Sequence, residues 1–321
     1  MYHSVSFLLP RSPAPLNPAR APPLCPYLRV LADVTLSTWR RSSLQISLFC
    51  SFLLTVYILI ICSNSVIVYL IWVHSDLHEP MYIFIAALLV NSLLSDILSE
   101  KQVITYSTCL FQFFTFYSLG GSEFMLLAVM AYDRYVSICK PLRYSSIMRK
   151  RTVTVLLALA WLVPVCEVLI QVILFASRKI CNFNFKGIIC NSTMVKLQCV
   201  QSTVQNIYGL VSFVNVMILP VLFVVFTYIR IFTVIYHSSR EVKRKATQTC
   251  LPHLIVLISF SCLGAYDVLL LRMDTDFPQI VRFLMSLQTI IYNPLFNPII
   301  YGLKMKEIYK HLKRLTLRVG T

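Results

Sequence analysis

Hydrophobic residues along this chain fall into seven long runs separated by short polar connections. The runs cover about Leu48–Val73, Met81–Leu98, Cys109–Tyr132, Val153–Ala176, Ile207–Ile235, Leu251–Leu271 and Ile280–Leu303. About 20 apolar residues suffice for a helix to cross a hydrocarbon core roughly 30 Å thick. Only helices and closed barrels satisfy backbone polar groups in lipid, and runs of this length are helical. The pattern predicts an all-α membrane protein, a bundle of seven transmembrane helices over residues 44–303. Residues 304–321 alternate basic and apolar positions. Ile308, Leu312 and Leu315 share one helical face, which predicts a short amphipathic eighth helix resting on an anionic leaflet. Residues 1–43 hold Pro10, Pro13, Pro15, Pro18, Pro22, Pro23 and Pro26, which break helical periodicity and point to a disordered tail.

Composition supports this division. The chain is 57% hydrophobic and 13% charged, against about 25% charged residues in soluble domains. Its net charge of +16 would suggest nucleic acid in a soluble protein. Here the charge is segregated. Arg134, Lys140, Arg143, Arg149, Lys150 and Arg151 follow the third run, and Arg240, Lys243, Arg244 and Lys245 follow the fifth. Lys304, Lys306, Lys310, Lys313, Arg314 and Arg318 follow the seventh. These connections share one side of a seven-span bundle, and excess Lys and Arg mark that side as cytoplasmic. The N-terminus is then extracellular, although Arg40 and Arg41 run against the bias. The chain has seven glycines and lacks phosphate-binding glycine loops and the His-Glu-x-x-His zinc pattern, so neither cofactor nor metal is expected.

The chemistry concentrates at a few places. Asp133 and Arg134 end the third run within Met130-Ala131-Tyr132-Asp133-Arg134-Tyr135. Opposite charges at the edge of hydrocarbon are costly and are usually paired. Asn297-Pro298 interrupts the seventh run, because proline removes a donor and frees carbonyls, and Tyr301 lies one turn further on. Glu123 is an acid within the third run. Of eleven cysteines, Cys50, Cys62, Cys139, Cys166, Cys250 and Cys262 lie in or beside apolar runs and read as small packed residues. Cys109, Cys181, Cys190 and Cys199 lie in polar stretches. Four cysteines allow three pairings, with zinc as an alternative, and the residues alone leave these open. Asn191-Ser192-Thr193 is a glycan acceptor tripeptide.

Taken in order, four motifs carry a resemblance. Leu77-His78-Glu79-Pro80-Met81-Tyr82 joins the first two runs, and the 130–135 motif continues through Cys139-Lys140-Pro141-Leu142-Arg143-Tyr144. Lys245-Ala246-Thr247-Gln248-Thr249-Cys250-Leu251-Pro252-His253 opens the sixth, and Asn297-Pro298-Ile299-Ile300-Tyr301 closes the seventh. Over about residues 55–318 the chain resembles vertebrate odorant receptors of the rhodopsin-like G-protein-coupled class, most like those of fishes. The resemblance implies a plasma-membrane receptor, not an enzyme, that takes a small odorant and activates a stimulatory, olfactory-type heterotrimeric G protein. It implies G-protein coupling through Asp133, Arg134 and Tyr135, a hinge at Asn297, Pro298 and Tyr301, and a polar bundle centre with Glu123 and Ser92. It also implies Cys109–Cys190 and Cys181–Cys199 disulfides. For the ligand, Phe113, Phe116, Tyr117 and Gly120 share a helical face in the third run, and Ser212, Ser261 and Asp267 join them from the fifth and sixth.

The chain departs from that family in two places. The second run is short, as if about ten family residues were missing between Leu94 and Ser95, and the proline-rich tail is atypical. A defective or incorrectly assembled gene would produce both. A transporter or channel is the rival from another class; inverted repeats would mark it, and no repeat is apparent. An amine or peptide receptor is the rival within the class, but no acid lies between Cys109 and Gly121.

Overall fold

The computed structural model describes residues 43–78, 80, 82–87, 106–181, 190–236, 238–266, 297–298 and 306–319. The N-terminal tail, most of the second and seventh spans, Ser92, Asp267 and Tyr301 lie outside these. The first helix is Ser43–Val73, and residues 82–87 form helix from the second span. The third is Tyr106–Cys139 and the fourth Lys150–Ala176. The fifth spans Thr203–Tyr236, the sixth begins with Arg240–Ala265, and a terminal helix covers Lys306–Val319. Among the described residues, three helices are long and apolar enough to cross a membrane: the third, fourth and fifth. The shorter apolar stretches Ile58–Val73 and His253–Cys262 accompany them.

The third helix is the axis. In its apolar window 61% of residues are buried, against 22% in the fourth and 33% in the fifth. Its 34 residues reach about 51 Å at roughly 1.5 Å per residue, well beyond the hydrocarbon. It continues seven residues past Tyr132, where the apolar run ends, so Asp133 and Arg134 belong to a helix rather than to a loop. Leu126, Leu127, Met130 and Ala131 pack there in one cluster with Val224, Tyr228, Ile231, Val256 and Phe260 from the fifth and sixth helices. A second cluster, of Cys109, Leu110, Phe113, Val168, Phe175, Cys190 and Met194, closes the other end.

Outward faces stay apolar. Val155, Leu159, Leu162 and Leu169 on the fourth helix are exposed, as are Leu222, Phe226 and Ile229 on the fifth. Lipid is the solvent these faces suit. The same environment corrects the expectation for several cysteines: Cys62, Cys166 and Cys262 are exposed, and among the described free cysteines only Cys250 is buried. A thiol is apolar enough to face hydrocarbon.

Two irregularities shape the bundle. The fifth helix passes through a π-helical segment at Val214–Ile218. Pro220 supplies no N–H for the carbonyl four residues earlier, so the regular ladder cannot continue unbroken through Val216. At that bulge the third helix presents Gly121. A Cβ there would stand 2.6 Å from Val216 Cγ1 and 2.8 Å from Pro164 Cβ. Three helices therefore meet at one hydrogen atom. The terminal helix docks separately: Ile308 is fully buried, and the His311 ring lies 4.0 Å from that of His74 at the end of the first helix.

Gly121→Ala should destabilise the purified receptor by about 1–3 kcal/mol, the usual range for overpacking. The neighbouring Gly120→Ala, with nothing within 4 Å of its Cβ position, should change little. Thermal unfolding of the two variants in detergent checks this, and equal midpoints would refute the close approach.

Candidate functional site

At one end of the third helix the Asp133 carboxylate is fully buried and both its oxygens are used. Oδ2 accepts from Arg134 Nη2 at 2.5 Å and Nε at 3.0 Å; Oδ1 accepts from the Tyr144 hydroxyl at 2.8 Å. Tyr144 opens the short helix Tyr144–Ile147, carried after Pro141–Arg143 on the loop to the fourth span. The loop thus folds back to close the pair, and Arg134 retains only 13% side-chain exposure. Tyr135 beside it is half-buried, with Lys140 Nζ 5.7 Å from its ring centroid. Close by, the Tyr228 hydroxyl and His253 Nδ1 are 2.6 Å apart, joining the fifth helix to the sixth through a buried bond. Arg134 lies within electrostatic reach of His253. Neither Tyr144 as the partner of Asp133 nor the Tyr228–His253 pair stands out in the sequence; only the long-range packing reveals them.

In the middle of the bundle Glu123 is 6% exposed and Asn297 is 1% exposed, with Pro298 buried and helical beside it. Asn64 on the first helix is fully buried and donates to the Ile60 carbonyl at 2.8 Å. A further acid escaped the motif reading. Glu167 on the fourth helix accepts from the Tyr208 hydroxyl at 2.8 Å and from Asn215 Nδ2 at 3.1 Å. Both partners sit on the fifth helix, Asn215 inside the π-helical segment. Its signal in the sequence was a lone acid in an apolar run, the same signal that marked Glu123.

At the far end the third helix is roofed. Cys109 is bonded to Cys190 and Cys181 to Cys199. Beyond the first bond, Cys190 N–H donates to Gln112 Oε1 at 3.1 Å and Ser192 N–H to the Tyr117 hydroxyl at 2.9 Å. Met194 is buried with its sulfur 3.6 Å from Cys109 Sγ. The segment Ser192–Leu197 is therefore a lid over the bundle. Asn191 is 8% exposed beneath it, so the acceptor nitrogen is not displayed on the surface.

The aromatic residues below the lid form one group. Phe113 lies 4.5 Å from Tyr117 and 5.1 Å from Phe175 of the fourth helix, and Phe116 lies 5.2 Å from Tyr117, measured between ring centroids. Phe113 is 2% exposed, while Phe116, Tyr117 and Gly120 are half-buried. Ser212 is buried on the fifth helix and Ser261 half-buried on the sixth. Among the described residues no group of His, Cys, Asp or Glu could hold a metal.

A central helix that ends in a buried Asp–Arg pair and is tied by a disulfide to the loop after the fourth span defines the rhodopsin-like receptor class. A family model described as "Olfactory receptor" matches residues 52–318. Similar proteins include "Olfactory receptor-like protein OLF3" of Canis lupus familiaris, 33% identical over 277 residues, spanning 82% of this chain and 86% of that protein. "Olfactory receptor 2F2" of Homo sapiens is 35% identical over 297 residues, spanning 86% and 93% respectively. "Olfactory receptor 6K3" of Homo sapiens is 33% identical over 276 residues, spanning 82% of each. The chain belongs to the olfactory receptor family. It is a multi-pass membrane receptor with a seven-helix fold, and not an enzyme.

Tyr144→Phe removes the donor to a buried carboxylate oxygen and should lower stability by about 1–3 kcal/mol. Tyr135→Phe, whose hydroxyl plays no part in the Asp133 contacts, should serve as the neutral control. Thermal unfolding of both variants measures the difference.

Proposed function

We propose that this chain binds a small odorant in the outer half of the bundle and activates a stimulatory G protein at the Arg134 end. The observation that carries this is the closed state of Arg134, held by Asp133 and screened by Tyr144 beside the Tyr228–His253 bridge. A charge of this kind is spring-loaded in chemical terms. Its five donors fit backbone carbonyls of a partner helix once Asp133 releases them. In this reading release accompanies a parting of the fifth and sixth helices, which the Tyr228–His253 bond joins. A ligand drives the change only by binding the open state more tightly than the closed one. The Lys and Arg excess in the basic connections supports the orientation in which Arg134 faces the cytoplasm, the disulfide-tied lid faces outward and the N-terminus is extracellular. Asn297-Pro298 is the hinge we assign to the seventh span, and Phe116, Tyr117, Gly120, Ser212, Ser261 and Asp267 the residues assigned to the odorant. Phe113, packed against Tyr117, belongs to the same proposed set.

A second reading rests on a specific observation. The match to OLF3 runs over 277 residues yet takes in 82% of the 321 residues here, and the match to receptor 2F2 runs over 297 yet takes in 86%. The chain therefore carries gaps against both relatives. A stretch lost from the short second run, between Leu94 and Ser95, fits those gaps. On this reading Asp96, Glu100 and Lys101 are pulled toward hydrocarbon, where a charge costs about 3 kcal/mol, and the product fails to signal. Detection of the chain at the surface of transfected cells would eliminate this alternative.

Expressed in cells that report cyclic AMP, the receptor should respond to members of an odorant panel. Arg134→Ala should abolish the response while leaving surface staining near the unsubstituted level. A response that survives the substitution would remove Arg134 from the mechanism.

A further inference from the structure

The fifth helix runs for 34 residues, Thr203–Tyr236, and Arg230 is its one charged residue. Its neighbours on the outward side are apolar. Phe226, Ile229, Phe232 and Val234 are exposed, and Arg230 is exposed with them. Among the described residues the one ion pair is Asp133–Arg134, and no described side chain bonds to Arg230. An arginine does not shed its proton. A charge on a lipid-facing helix is costly unless something meets it.

The level of Arg230 in the bundle follows from register. The Tyr132 ring of the third helix lies 6.5 Å from the ring of Phe223, measured between centroids. The third and fifth spans run in the same direction. Cys139 and Arg230, each seven residues further on, therefore stand about 10 Å beyond that contact. Arg230 and Lys140 both lie within electrostatic reach of Cys139. Tyr132 ends the apolar run of the third helix, so the two cations sit where hydrocarbon gives way to headgroups. Lys140 is exposed and kept at the seam, with Nζ 5.7 Å from the Tyr135 ring centroid. Phe223, Phe226 and Arg230 share one face of the fifth helix by i, i+3, i+7 spacing. Both rings are exposed. The seam between the third and fifth helices thus offers two aromatic rings to acyl chains and two cations to the headgroup layer above them.

We propose that this seam binds one anionic phospholipid, its phosphate on Arg230 and Lys140 and an acyl chain along Phe223 and Phe226. A guanidinium fork matches phosphate oxygens, and charge-assisted bonds of this kind are the strong ones. The lysine stem lies along apolar surface while its ammonium reaches the same phosphate. Net charge decides which lipid. A phosphatidylcholine phosphate is already balanced by its own choline, whereas a phosphatidylserine leaves a negative charge for two cations. Free phosphate would meet the charges and leave the rings uncovered. The site lies outside the odorant and G-protein roles proposed above and does not depend on either.

The test uses the full chain, reconstituted into nanodiscs of mixed phosphatidylcholine and phosphatidylserine, with native mass spectrometry reading the lipid that stays bound on release. Phosphatidylserine should be retained in preference to phosphatidylcholine. Arg230→Gln and Lys140→Gln should each lower that preference about fivefold. Arg230→Lys keeps the charge and should keep most of the preference. Arg244→Gln removes an equal charge from the exposed start of the sixth helix, away from the seam, and should leave the preference in place. Thermal unfolding in phosphatidylcholine alone should give the same midpoint for every variant, since each change is exposed. Excess inorganic phosphate should not displace the retained lipid. Equal retention of the two lipids, an unchanged preference in Arg230→Gln, an equal loss in Arg244→Gln, or displacement by inorganic phosphate would each overturn the proposal.

Discussion

The structure hangs on the close approach of three helices at Gly121. Without a side chain there, the third helix can press against Pro164 of the fourth and against Val216 in the bulge of the fifth. In hydrocarbon the helices gain nothing from excluding water, so backbone proximity and interhelical hydrogen bonds must hold them together. The Gly121 contact supplies the first. The Glu167 clasp supplies the second, since Asn215 lies one residue from Val216 and Tyr208 two turns earlier. The π-helical segment, which lies just before Pro220, is thus placed where two helices can grip it. An irregularity that would otherwise weaken the fifth helix becomes its anchoring point.

From that waist the two ends are built on different principles. The lid end is covalent, with two disulfides and a short bridge fixing a loop that has no long helix of its own. The Asp133 end has no such bond among its described residues. It is held by a buried ion pair, one tyrosine hydroxyl and one tyrosine–histidine bond. Buried pairs of this kind are poor stabilisers, because desolvation offsets much of the attraction. They are well suited to a state that must be given up. The rigid end and the releasable end are joined by one continuous helix, so a change in how the fifth helix sits at Gly121 bears on both.

Much of this was legible in the residues. Hydropathy alone located the third, fourth and fifth spans, because lipid enforces helix and a minimum length. The paired charges at 133–134 stood out because ionisable groups are rare in hydrocarbon, and the alternation after Lys304 reads as the helix observed at Lys306–Val319. What the residues could not give was partnership across sequence distance. Tyr144 lies eleven positions from Asp133, and Tyr228 lies twenty-five from His253. Helical period says which face a side chain takes and nothing about which neighbour meets it. The reach of the third helix to Cys139 was likewise hidden, since its last turns are polar and hydropathy stops at Tyr132. Phe113 shows the same limit from the apolar side: periodicity put it on a face with Tyr117, but only packing reveals that Phe175 occupies that face too.

Glu167 and Glu123 sharpen the point, because identical signals have different outcomes. Each is a single acid in an apolar run. Glu123 turns into the bundle and is buried. Glu167 points to a half-exposed seam between the fourth and fifth helices, and it is tolerated because two donors meet its two oxygens. The cost of an acid in hydrocarbon is therefore met locally, by the element packed against it. At Asp133 and at Glu167 alike the chain itself provides the groups that meet the carboxylate.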